Sequence, residues 1–335
     1  MKREFFLLCA FCAFALAVQA QQDSLRQVDL DGIMVTAARA GEQTPMAYSN
    51  LNKQEIKSRS IEGDVPMLLD MIPSVIVSTE SGTGTGNSSL RIRGADASRV
   101  NVTLDGVPLN DAESQSVFWV NMPDLLSSVG SVQVQRGVGT STNGTGTFGG
   151  AISLQTARPA SKPYGEVGVA AGMFNTYKYN VVTGTGLMDN GFSFDARYSR
   201  VLSDGFVDRT GSDDYSLYGS ATWFGKNNSV RLSVIHGNQQ TGLHGGVPKD
   251  SIDAGNRTYN PAGEYVDNDG NIAYYGNEND NYKQTHYHLT YSHQLGNSWK
   301  ASATLYYTRG EGYYEQYKAN RKLEEYGLTN LNFNG

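Results

Sequence analysis

The sequence predicts a mixed α/β domain followed by the opening strands of a transmembrane antiparallel β-barrel. Three observations carry this. After Pro163 the chain falls into seven alternating apolar/polar segments of roughly ten residues, the length a tilted strand needs to cross a bilayer. Their connections alternate between short ("LMDNG", "GKNN", "LGNS") and long (203–214 and 238–281), as a barrel with one short-turn rim and one long-loop rim requires. No stretch beyond the first twenty residues approaches eighteen apolar residues, so a spanning helix is not expected.

The elements follow in chain order. Lys2 and Arg3, an apolar run from Phe5 to Val18 and the ending Val18-Gln19-Ala20 have the layout of a secretory signal over 1–20, cleaved after Ala20. Residues 21–40 read as a polar arm with a short β-prone centre, Gly32-Ile33-Met34-Val35-Thr36-Ala37. Residues 41–160 read as a compact domain. Its helical stretches are 52–60, 64–72 (Pro66 in the first turn, Pro73 as the stop) and 123–129. Its strands are 74–79, 89–94, 99–106, 131–137 and 151–156, with Asp105-Gly106 as a tight turn. Val75, Val77, Leu90, Ile92, Val100, Val102, Leu104, Val132 and Val134 are the expected core. The glycine-rich loops 82–86 and 137–150 lack apolar anchors and are expected to be packed by something outside this domain. Residues 161–335 hold the seven barrel segments. In the third of these, Phe192, Phe194, Ala196 and Tyr198 alternate with Ser193, Asp195, Arg197 and Ser199. Seven strands do not close a bacterial barrel, so further strands are expected beyond Gly335.

Composition narrows the chemistry. Both cysteines, Cys9 and Cys12, lie in the expected signal, which excludes thiol catalysis and thiolate metal sites in the exported chain. A net charge of −6 argues against a nucleic-acid partner. His286 and His288 share one strand face and read as lumen polarity rather than as metal ligands. Glu324-Glu325 read as loop solvation, and no Ser-His-Asp ordering is visible, so no catalytic residue, metal or cofactor is assigned. Gly144, Gly146 and Gly149 of "NGTGTFGG" match the dinucleotide spacing. A strand-like "AISLQT" follows where that motif requires a helix, so a glycine-rich connection between strands is the better reading.

Two blocks point to a family. "LRIRGADASRVNVTLDGVPLND" resembles the I-R-G…D-G-V-P block of TonB-dependent outer-membrane receptors. "VGSVQVQRGVGTSTNGTGTFGGAISLQT" resembles their V-x-R-G…G-G-x-I block. "DLDGIMVTAA" resembles the TonB box, with Met34 a mild departure. The resemblance implies that 41–160 is a plug inside a wide barrel, that Gly32–Ala37 bind TonB, and that Arg93 and Arg136 clamp the plug to glutamates on the barrel wall. It also implies an outer-membrane receptor, in a Gram-negative bacterium, for active uptake of a scarce small-molecule nutrient: an iron complex (siderophore or haem) or cobalamin. A plugged adhesin without transport and an oligosaccharide receptor are the alternatives. Outer-membrane lipid is the surrounding partner. Tyr259, Tyr265, Tyr274, Tyr275, Tyr313, Tyr314 and Tyr317 read equally as ligand-contacting loop residues or as groups that order long loops.

Overall fold

The computed structural model describes residues 39–41, 44–59, 64–138, 146–296, 299–318 and 321–328. The signal and the stretch Gly32–Ala37 lie outside them, as does Gly144.

The first part is a mixed sheet with short helices. In order come β1 (Tyr48–Asn52), α1 (Lys53–Arg59), α2 (Val65–Leu69), β2 (Val75–Thr79), β3 (Ser88–Ile92), β4 (Val100–Leu104), β5 (Val107–Pro108), β6 (Val129–Arg136) and β7 (Gly150–Thr156). Five strands pair in the order β1-β6-β7-β4-β5, with β4 and β7 parallel; β2 and β3 form a separate hairpin. Asn52 starts α1 through a capping box: its Oδ1 accepts from Gln54 N (2.9 Å) and Glu55 N (3.0 Å), and Glu55 Oε2 accepts from Asn52 N (2.8 Å). The second helix ends at Leu69 rather than at the Pro73 stop, because Asp70–Ile72 leave the helix in turns. The expected 123–129 helix is a 3-10 turn, Leu125–Ser128. Of the expected core, eight residues are buried and Val77 is partly buried.

The glycine motif joins β6 to β7, strand to strand. A Cβ on Gly149 would lie 3.0 Å from Ile92 O, and one on Gly150 would lie 2.5 Å from Gln135 O. Close backbone approach accounts for Gly149 and Gly150, whereas Gly146 has nothing within 4 Å of a Cβ.

The second part is one antiparallel sheet in simple meander order: β8 (Tyr164–Gly172), β9 (Thr176–Gly184), β10 (Phe192–Ser203), β11 (Ser212–Phe224), β12 (Asn228–Gly242), β15 (Asn279–Leu295) and β16 (Trp299–Glu315). The long loop between β12 and β15 carries α3 (Lys249–Asp253) and a small hairpin, β13 (Glu264–Val266) with β14 (Ile272–Tyr274). The burial pattern is inverted relative to a soluble sheet. Phe194, Leu217, Leu232 and Leu289 are exposed, while Ser193, Arg197, Ser199, Thr222, Ser233 and His288 on the other face are buried. Register aligns Phe194, Ala221, Leu232, Leu289 and Leu305 in one outward row. An apolar outside and a polar inside packed on another domain is the pattern of a plugged transmembrane barrel.

Candidate functional site: the interface between plug and wall

The plug meets the inward face of the sheet through the short segment Asn121–Asp124. Asp124 sits at positive φ (48°), 4% exposed, where the chain turns into Leu125–Ser128. Its carboxylate receives Lys178 Nζ of β9 at 2.5 Å and Ser199 Oγ of β10 at 2.5 Å. Arg197 of β10 donates from Nη1 to Asp124 O (2.7 Å) and lies 3.4 Å from Oδ2. Ser127 Oγ donates to Asp124 Oδ1 (2.8 Å) and in turn accepts from Asn180 Nδ2 of β9 (2.9 Å). Burial alone would push the Asp124 carboxyl up; Lys178 and Arg197 outweigh it and hold the group below the ordinary carboxylate range.

The same segment touches two further strands. Ser216 Oγ of β11 donates to Pro123 O (2.6 Å). On β12, a Cβ at Gly237 would lie 2.1 Å from Asn121 O, so only glycine lets the plug backbone lie against the wall there. Four consecutive strands, β9 to β12, thus hold this plug segment at Asn121, Pro123 and Asp124. Tyr218 and Ile235 of the wall join the plug's own core cluster. Past the plug, Arg231 of β12 bonds Ala157 O (3.1 Å) and Tyr218 OH (2.8 Å), fixing the chain where it leaves β7.

The loop at 82–86 is packed from outside the plug, as expected. Phe206 lies against Gly82 and Thr241 against Gly86, all three glycines of the loop having positive φ. Phe206 N and Val207 N both donate to Ser81 O (2.8 and 3.1 Å).

Arg93 directly follows β3, and Arg136 ends β6. Arg93 is exposed, at positive φ (52°), and its Nη1 would lie 2.7 Å from a Cβ on Gly137, the residue after Arg136. Arg136 is half-buried, and its Nε has no hydrogen-bond partner among the described residues.

The predicted tyrosines separate into two groups. Tyr259 OH donates to Glu264 Oε2 (2.5 Å), Tyr274 OH reaches the same oxygen (3.3 Å), and the Arg209 guanidinium lies 3.7 Å from the Tyr274 ring centroid. The hydrogen bond to Glu264 pushes the Tyr259 hydroxyl up to about 12. Tyr265 and Tyr275 pack on Tyr317, with centroids 5.1 and 5.6 Å apart. All these contacts involve residues of the long loop between β12 and β15. Tyr313 and Tyr314 are not loop residues: they lie on β16, opposite Asn281 and Asp280, and are exposed. His286 and His288 share the buried inward face of β15, and His286 Nδ1 pairs with Thr308 Oγ1 (3.1 Å).

Sequence reasoning missed Asp124, Lys178 and Gly237. Arg197 and Ser199 were read only as part of a polar strand face. The available signal was that face itself: a salt-bridging set of side chains where a water-filled pore would be content with any polar residue.

Fold and interface define the class: an outer-membrane barrel whose lumen is occupied by an N-terminal domain. Comparisons with known proteins agree. Residues 40–151 match the family model described as the TonB-dependent receptor plug domain. The "Probable TonB-dependent siderophore receptor PirA" of Acinetobacter baumannii is 24% identical over 179 residues, 48% of this chain and 24% of its own length. The ferrioxamine B receptor of Salmonella typhimurium is 26% identical over 212 residues, 62% of this chain and 29% of its own. The unliganded ferric citrate transporter FecA superposes with a TM-score of 0.66 at 21% identity, over 82% of this chain and 41% of that one. The chain resembles the TonB-dependent receptors, over the plug above all; it spans about a quarter of the length of the curated relatives it matches.

Proposed function

We propose that the complete receptor actively imports an iron complex, a siderophore above all, across the outer membrane of a Gram-negative bacterium. Siderophore receptors among the relatives support that cargo over haem, cobalamin or oligosaccharide. The observation that carries the transport reading is the fastening of Asn121–Asp124 to four successive strands. A lumen closed this way opens only if work is done on the plug. The outer membrane has no ATP, so that work must arrive through a periplasm-spanning partner, TonB.

We divide the chain into a signal (1–20), an arm (21–40), a plug (41–160) and barrel strands (161–335). Gly32–Ala37 would add a strand to an edge of the TonB sheet, where main-chain hydrogen bonds give grip. Arg93 and Arg136 would receive wall carboxylates from strands beyond this chain. Tyr259, Tyr265 and Tyr274 would present the loop that meets the ligand, with Tyr313 and Tyr314 beside it on the wall. The role is binding and transport without chemical conversion.

Growth of a deletion strain on defined siderophores, haem and cobalamin, complemented with the full-length receptor, tests the reading. Siderophore-dependent growth is expected. Val35→Pro, which lacks the strand's donor, should abolish uptake and leave ligand binding unchanged. Uptake at the wild-type rate in that variant overturns the arm's assignment.

A further inference from the structure

On the β8–β9 side the plug stands off the wall. A cavity of about 520 Å³ lies between α1 and the Leu125–Ser128 turn on one side and β8 and β9 on the other. Its wall is low. Val167 and Val169 are exposed on the outer face, so Gly168 and Ala170 are the residues of β8 turned to the cavity. The Asn180 side chain lies flat over Gly168, where a Cβ would come within 2.4 Å of Oδ1. Register sets Ala170 beside Lys178 and Glu166 beside Val182. The cavity therefore runs from the level of the Asp124 contacts toward the short-turn rim, the periplasmic one in such barrels, over about 13 Å at about 3.3 Å per residue.

Two features set this seam apart from the one at Asn121–Asp124. First, it is weakly closed. The ion pair across it joins Lys57 Nζ of α1 to Glu166 Oε2 of β8 (2.8 Å), with side chains 72% and 45% exposed. Such a pair contributes little to holding two surfaces together. Parting Asp124 from Lys178 and Arg197 would instead leave buried charge uncompensated. A plug under load yields first on the β8–β9 side. Second, the cavity is positive. Lys53, Lys57 and Lys178 line it against the single carboxylate of Glu166. Lys178 is matched by Asp124 and Lys57 by Glu166, which leaves Lys53 in excess. A cleft with low-dielectric walls focuses that charge and favours an anion. Its volume falls within the roughly 300–1,000 Å³ of small-molecule sites.

We propose that the cavity between α1 and β8–β9 is a second station for the cargo, which binds an anionic iron complex after it leaves the outer loops and before it reaches the periplasm. This rests on the import reading above and adds to it the sign of the cargo's charge and the side of the plug it passes.

The test uses Ala170→Cys in full-length receptor otherwise free of thiols, which puts a thiol in the cavity. The first readout is the rate of modification by the anionic sulfonatoethyl and the cationic trimethylammonioethyl methanethiosulfonates, each relative to its rate with free mercaptoethanol. The anionic reagent should be favoured about fivefold, and Lys53→Glu should reverse the preference. A parent that favours the cation, or a preference that Lys53→Glu leaves unmoved, overturns the anion site. The second readout is energy-dependent uptake of radioactive iron, offered as the anionic ferric citrate and ferric enterobactin and as the cationic ferrioxamine B. Uptake of an anionic complex is expected. It should fall about tenfold once Ala170→Cys carries the sulfonate, because an occupied pocket admits no second guest, while binding at the cell surface is unchanged. Undiminished uptake by fully modified receptor, or uptake of ferrioxamine B alone, overturns the station and leaves the import reading standing. Growth of the complemented strain on no siderophore overturns the import reading, and the station with it.

Discussion

Asp64 and Asp124 face the same small cavity, of about 20 Å³, and their carboxyls are shifted in opposite directions. The cavity, room for about one water, is also lined by Thr85, Thr176, Lys178 and Asp214. Asp64 starts α2; its Oδ2 accepts from Ser88 Oγ (3.2 Å). Burial pushes its carboxyl up to about 7, Ser88 and Lys178 oppose the rise, and Asp124 adds to it. Asp214, on the wall, faces it as a second carboxylate. The seated plug therefore binds a proton at Asp64 that the solvated chain, with a carboxyl near 3.8, does not. That contribution to stability is complete below about pH 4 and is lost as pH rises through about 7. Thermal denaturation of the detergent-solubilised receptor should show a lower Tm at pH 8 than at pH 5. Asp64→Asn should flatten the difference and gain on the order of 1–3 kcal/mol at pH 8. A slope unchanged in Asp64→Asn would assign the effect elsewhere. Asp124 carries the other sign, because its depressed carboxyl stabilises the seat above the ordinary carboxylate range and loses that effect in acid. Asp124→Ala leaves Lys178 and Arg197 facing a buried void, and should destabilise by about 3–5 kcal/mol in guanidinium melts at pH 7.

Strand β12 shows how an element is shaped by what it faces. Gly237 points inward onto Asn121 O, whereas Gly219 on β11 points outward with nothing within 4 Å of a Cβ. Gly237→Ala should lower Tm by several degrees and speed protease cleavage of the plug, while Gly219→Ala should be near neutral. Equal effects would mean that the plug does not rest on the wall at Gly237. All seven wall strands were legible in the sequence, because a period of two survives whichever face is buried. Their length was not: β15 and β16 run to 17 residues each, through polar ends such as Asn279–Lys283 that carry no apolar alternation. The first strand, Tyr48–Asn52, was invisible for a related reason. "YSNLN" buries only Leu51 and is held by its edge pairing with β6. The Asp124 seat was illegible because it joins residues 54 to 75 positions apart, by difference of their numbers, and because an aspartate before "LLSS" reads as an ordinary helix cap. Gln133 and Gln135 looked like the solvent side of an alternating strand; both are buried, Gln133 bonded to the chain at Ala40 and Gln135 donating to Gln133 Oε1.

Taken as a whole, the molecule places its charges by depth. In the outward rows nearest the short turns, Phe192 aligns with Trp223, Val230, Tyr291 and Ala303, and Phe194 with Ala221, Leu232, Leu289 and Leu305. Further along, Arg200 aligns with Tyr215, Asn238, Lys283 and Glu311, and Arg200 pairs with Asp213 through two bonds of 2.6 and 2.8 Å. The apolar rows must therefore be the ones in hydrocarbon, and the row through Arg200 must lie at the boundary. A cation introduced at the middle of the band loses its hydration; one at the boundary keeps it. Leu289→Arg should cost about 2–4 kcal/mol and Asn238→Arg about 0–1 kcal/mol, measured as guanidinium unfolding from lipid vesicles. Both positions are outward and on neighbouring strands, so strand propensity and plug contacts change little between them. If the two substitutions cost the same in vesicles, the sheet does not sit in lipid at this depth, and the plug would have no closed lumen to fill. If only Leu289→Arg is costly, and the gap between the two closes in detergent, depth in the bilayer is what separates them.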